Sequence, residues 1–138
     1  MGIRTRLSSA QDPIFDWVPA PSHAPALNTR ATATQGAAGR NRVNVLTGFV
    51  ITVVGDASAP AAKVVKIGVV DGPSGSTSYL WGPLTLAVPA VAGAVSGVAR
   101  DGLWIQGSPN TPMTIEFDVA GGANTFESVV MEGTTQPL

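Results

Sequence analysis

Few residues in this chain have the means to do chemistry. The single histidine, His23, stands in the stretch SHAP. A hydrolytic triad needs an imidazole held within hydrogen-bond reach of a serine, with a carboxylate behind it. Between Ser22 and Ala24, in a proline-rich stretch, His23 reads as exposed or groove-lying instead. A transition-metal site needs two or more His or Cys ligands, and the chain has one histidine and no cysteine. Four carboxylates are of the type that hydrolyses sugars in pairs. Glu116 and Asp118 lie two apart on one strand face, and Glu127 and Glu132 lie on the last strand with opposite parity. They read as the solvated face of an edge hairpin. The loop DGPSGS (71–76) lacks the Asp-x-Asp spacing of a calcium loop. GPSGS and AGGAN match no phosphate-binding loop. The sequence therefore predicts no catalytic residue, no metal, no cofactor and no enzyme.

Tyr79, Trp81 and Trp104 remain, and an aromatic face offers apolar contact to a sugar or to a protein. Trp104 lies between Leu103 and Ile105, so if those two point inward it points out and needs a cover. The candidates, in order, are a neighbouring subunit, the N-terminal segment and a ligand. Interfaces enrich tryptophan, whereas ligand platforms gather more polar groups. The stretch DGLWIQGSPNTPMTIEFDVAGG (101–122) is then a hairpin and not a site with Asn110 and Asp118 as hooks. Gly107, Pro109 and Asn110 are residues of one chain reversal, and Gly121–Gly122 of the next.

The elements that must hold these residues divide into an arm and a body. Residues 1–30 carry Pro13, Pro19, Pro21 and Pro25. Each fixes φ, lacks an N–H and pushes its predecessor toward extended conformations. The segment is an extended arm dotted with apolar anchors (Ile14, Phe15, Trp17, Val18 and Leu27), which are the candidate partner-binding residues. Residues 31–138 alternate in the manner of strands. In RVNVLTGFVITVV (42–54), Val43, Val45, Thr47, Phe49, Ile51 and Val53 share one face. In AKVVKIGVVDG (62–72), Val65, Ile67 and Val69 point in and Lys66 out. TSYLWGPLTLAVPA (77–90) is broken by Gly82–Pro83, which marks a bulge or an edge. VAGAVSGVAR (91–100) is ambiguous between strand and loop. In TPMTIEFDVA (111–120), Met113, Ile115, Phe117 and Val119 point in and Thr114, Glu116 and Asp118 out. Short strands with Gly/Pro/Asn turns predict an all-β fold, an antiparallel β-sandwich or jelly roll of about seven to eight strands behind an extended arm.

At 138 residues the chain is the size of one domain, and charged residues are only 12% of it. That is about half the usual share and predicts a surface buried against copies of itself or a larger body. Residues 1–42 hold five arginines against two aspartates, while 43–138 hold three cations against seven carboxylates. No dense basic patch forms, so nucleic acid is not an expected partner. No apolar run reaches the roughly 20 residues of a membrane helix, and MGIRTRLSSA lacks a signal peptide's apolar region.

The stretch 79–135 is similar to small structural proteins of tailed bacteriophages. DGPSGSTSYLW, LWIQGSPNTPMTIEF and AGGANTFESVVMEGTT carry the likeness, with a weaker match at RATATQGAAGRNRV (30–43). The resemblance implies a virion β-sandwich protein, most plausibly a capsid decoration or cement protein or the base of a head fibre. It further implies a homotrimer on the capsid exterior, with the arm clamping the major capsid protein. The other expectation is a receptor- or glycan-binding head-fibre or tail module using Trp104, Trp81 and the loops around Asn110 and Asn124.

Overall fold

A computed structural model describes residues 13–56, 63–88, 91–119 and 125–138. Among them ten strand segments form two antiparallel sheets, and no helix occurs. They are β1 (Phe15–Asp16), β2 (Ser22–Leu27), β3 (Thr32–Gln35), β4 (Arg42–Gly55), β5 (Lys63–Asp71), β6 (Tyr79–Val88), β7 (Val95–Arg100), β8 (Ile105–Gln106), β9 (Met113–Phe117) and β10 (Thr125–Pro137).

The first sheet is centred on β10 and β4, paired from Thr125↔Gly55 to Pro137↔Arg42. The free side of β10 is lined by β1 and β2, and the free side of β4 by β7 and β8. The second sheet has the order β3-β9-β5-β6. The pairings are nested: β5 with β6, β4 with β7 and β8, β3 with β9, β2 with β10. The chain thus runs as one long antiparallel ribbon that has been rolled up, and its ten segments occupy eight strand positions.

The core follows from period-two alternation. Phe49, Ile51 and Val53 on β4 lie opposite Met131, Val129 and Glu127 on β10. They face Val65, Ile67 and Val69 on β5 and Met113, Ile115 and Phe117 on β9, all buried. Each fully buried aliphatic side chain contributes about 1.5–3 kcal/mol before entropy is counted. Trp81 packs a tilted ring on Phe49, centroids 4.8 Å apart.

Strand alternation breaks at one place in β4. Glu132 pairs with Gly48 but Gly133 pairs with Leu46, which leaves Thr47 unmatched. This bulge shifts the inward face from odd to even positions. Leu46 joins the core, while Val43 and Val45, expected on the face of Phe49, point the other way and are buried there.

Other outward residues are also not solvated. β9 and β10 are inner strands, not an edge hairpin. Thr114 and Glu116 are buried because the turn at 73–76 folds over them. The Gly75 N–H donates to Glu116 Oε1 (2.9 Å), the Ser74 hydroxyl donates to Oε2, and Thr114 donates to Gly72 O (2.9 Å). Glu127 shares the parity of Val129 and Met131, is fully buried and accepts the Ala31 N–H (3.2 Å). Asp118 and Glu132 are exposed, and so is Val119, expected inside, which lies beyond the end of β9. Gly121–Gly122 and Asn124 lie outside the described residues.

Candidate binding surface

Residues 13–27 run extended along β10, and their four prolines suit an outer strand, where N–H donors are not needed on the free side. Between β1 and β2 the chain dips into the sandwich. Trp17 is 7% exposed and belongs to the core. Its backbone N–H donates to Gly133 O (3.0 Å), and its indole N–H to Thr135 Oγ1 (3.0 Å). A side chain at Gly133 would collide with this ring, since a Cβ there would stand 2.6 Å from it and 2.2 Å from Val45 O.

The Thr135 hydroxyl donates onward to Asn44 Oδ1 (2.7 Å). Asn44 is fully buried, and its Nδ2 donates to Gly36 O (2.9 Å) and Thr111 O (3.1 Å). One amide thus ties the arm, β4, β10 and two loops at one end of the sandwich. Arg42 completes the attachment: its guanidinium stands 5.0 Å from the centroid of the Phe15 ring and donates to Thr135 O (3.1 Å) and to Pro13 O.

Anchored this way, the arm presents Ile14 (61% exposed), Phe15 (54%) and Val18 (85%) outward. A cleft of about 380 Å³ runs beside Phe15 and Val18, with Gln35, Ala37, Ala38 and Arg42 also among its walls. The five arm residues singled out in the sequence therefore separate: Ile14, Phe15, Val18 and Leu27 are exposed, and Trp17 is committed to the chain's own core.

The outer face of the first sheet is apolar in cross-strand rows. Leu27, Phe126, Val54 and Val95 are direct partners across four strands, and Val130, Val50 and Ala99 across three. A depression of about 310 Å³ lies beside Val50, Ala99 and Val130, rimmed by Arg100, Asp101 and Glu132. Sequence reasoning missed this surface because Val50 and Val54, Val95, and Val130 belong to three different strands, and only the register puts them side by side.

The aromatics do not make one platform. Trp81 packs against the core, Tyr79 is half-exposed on the outer strand β6, and Trp104 is 64% exposed at the outer edge of the first sheet. Leu103 and Ile105 do pack inward on either side of it. Asn110 adopts φ 49°, donates its N–H to Arg42 O (2.9 Å) and accepts the Gly39 N–H (3.1 Å). Its side chain is thus engaged in the turn. His23 lies on β2 opposite Val129. Among the described residues, no three His, Asp or Glu side chains gather to hold a metal ion, and no helix is long and apolar enough to cross a membrane.

No family model and no curated protein matches this chain. Among solved structures it is similar to a chain of Desmodium yellow mottle tymovirus, at 12% identity and a TM-score of 0.40, over 91% of this chain and 89% of that one. A likeness of that size fixes neither lineage nor role.

Proposed function

We propose that this protein is a structural component of a virus particle, built on a jelly roll and acting by adhesion. The observation that carries the reading is the nested strand order, β2 with β10 inward to β5 with β6, split over two four-position sheets. A ribbon rolled in that order is the jelly roll, a scaffold of viral capsid domains and also of lectins and cupins. The surface favours the first over the other two. Charged residues are few, and large apolar side chains stand exposed on the arm, the first sheet and its edge. Contact spread over many copies is the use such a surface suits.

The finer reading is a decoration or cement protein on the outside of a tailed-phage head. Ile14 and Val18, with Phe15 and Leu27, are then the contacts to the major capsid protein. The arm is interlocked with the body through Trp17, so substitution and not deletion is the right probe. Gold-labelled antibody on the particles is expected to decorate heads evenly. The double variant Ile14→Glu, Val18→Glu is expected to keep its fold and lose attachment. Label confined to the tail tip overturns the decoration reading, and unchanged attachment of the variant overturns the role of the arm.

A further inference from the structure

The two sheets have four outer strand positions, and three carry devices against pairing with another chain. β1 and β2 lie in a segment with prolines at 13, 19, 21 and 25. β3 is only four residues long. β6 contains Pro83, and its pairing with β5 shifts register twice. Short strands, prolines and bulges are the ordinary means by which sheets avoid edge-to-edge association. β7, Val95–Arg100, has none of them: six residues without proline, in continuous register with β4 from Val54↔Val95 to Phe49↔Arg100. Every second N–H and C=O of this strand points away from β4.

Exposed apolar side chains stand at both ends of that same edge. Val91 (67% exposed) and Val95 (64%) are at the end near Gly55, and Trp104 (64%) is at the other, just before β8 pairs with Leu46. The span from Val95 to Ile105 covers the nine β4 residues from Val54 to Leu46, whose eight steps make roughly 27 Å at strand rise. An antiparallel partner with the same sequence, placed on a two-fold axis at Gly97, would set Val95 of each copy directly opposite Ala99 of the other and bring Trp104 of each toward the end that carries Val91 of the other. Directly paired residues share a face, so Val95 and Ala99 would extend the apolar rows of the outer face into the second copy. Val98, which packs on the core from the edge, would fall opposite Ser96. Arg100 would fall opposite Ala94, with no like charges face to face. A strand of unrelated sequence would supply the backbone hydrogen bonds but not the apolar match at both ends.

We propose that β7 is a self-association edge, where two copies of this chain pair their β7 strands about a two-fold axis and join their first sheets into one. Strand addition of this kind draws affinity from main-chain hydrogen bonds and specificity from the flanking side chains.

The test is sedimentation velocity with light scattering on the full chain over a concentration series. The parent chain is expected to give a dimer or an even multiple of it. Val95→Lys with Ala99→Lys, which places charge on the edge, is expected to lose the β7 contact and halve the mass. Trp104→Ala alone is expected to weaken the dimer at least tenfold. Because the altered side chains are exposed, circular dichroism and the unfolding midpoint are expected to match the parent. Should the lysine pair fail to fold, Val91→Lys, outside the strand, tests the same contact. A parent chain that stays monomeric overturns the proposal. So do lysine variants that keep the parent mass, or a mixed sample in which β7 binds an unrelated strand peptide more tightly than its own copy. These outcomes are independent of where the protein sits on a particle, so the proposal can fail without the virion reading failing.

Discussion

Asn44 shows how much one side chain can hold. It is fully buried, and its amide is joined by one accepted and two donated hydrogen bonds to Thr135, Gly36 and Thr111, with Trp17 next in line through the Thr135 hydroxyl. A buried amide that finds all these partners is worth little net over water, but removing it leaves its partners without theirs. Asn44→Ala removes the donor from two partly buried carbonyls and the acceptor from a buried hydroxyl, and opens a void. The expected cost is about 2–4 kcal/mol, from roughly 1–3 kcal/mol for unmet polar groups plus lost packing. In denaturant unfolding the midpoint should fall with its slope unchanged. A midpoint within error of the parent would mean that the network does not hold this end together.

At the scale of strands, the sequence and the structure agree where alternation is uninterrupted and part where a backbone event intervenes. Val65, Ile67 and Val69, and Met113, Ile115 and Phe117, were legible because each strand is regular and one of its faces is apolar. The turn at Gly107–Asn110 was legible because Asn tolerates φ near 49°. The bulge at Thr47 was not, since nothing in LTG marks which residue will lose its partner, and a shift of one residue reverses every face beyond it. Glu116 and Glu127 were read as solvated because sequence shows a carboxylate and not the donors that will meet it. Those donors, at Ser74, Gly75 and Ala31, come from 41 to 96 residues away. The arm was legible as extended, but that Trp17 would enter the core depended on Gly133 being bare. The strand-level assignment gives a sharp contrast on β4 above the bulge. Ile51→Ala is expected to cost about 2–4 kcal/mol, as for a large core side chain cut to Ala. Its neighbour Val50, 49% exposed on the outer face, should cost less than about 1 kcal/mol on the same substitution. Equal costs would mean the faces are assigned wrongly.

The nested order makes the molecule a single unit from its first described residue to its last. β1 closes on Thr134–Thr135, β2 on Phe126–Val130, and the Leu138 N–H reaches Asn41 O, so the two ends of the chain seal the same side of the roll. Removing residues 1–27 would take away two outer strands and Trp17 together. β10 would become an outer strand of 13 residues, its apolar inner face opened where Trp17 had lain over Gly133. Pro137 is its only proline, and it lies at the far end. A long, sparsely charged strand left unpaired is a template for aggregation. The loss of Trp17 alone falls in the range of about 3–5 kcal/mol seen for a buried large aromatic, a large part of a total that is usually about 5–15 kcal/mol. The expected outcome is that the truncated chain is insoluble or unfolded when expressed. In the intact protein, near-ultraviolet and far-ultraviolet dichroism should report one coincident unfolding transition, with arm and sandwich melting together. If the truncated chain is instead soluble and unfolds cooperatively near the parent midpoint, the arm is an appendage, and the body holds its own core without Trp17.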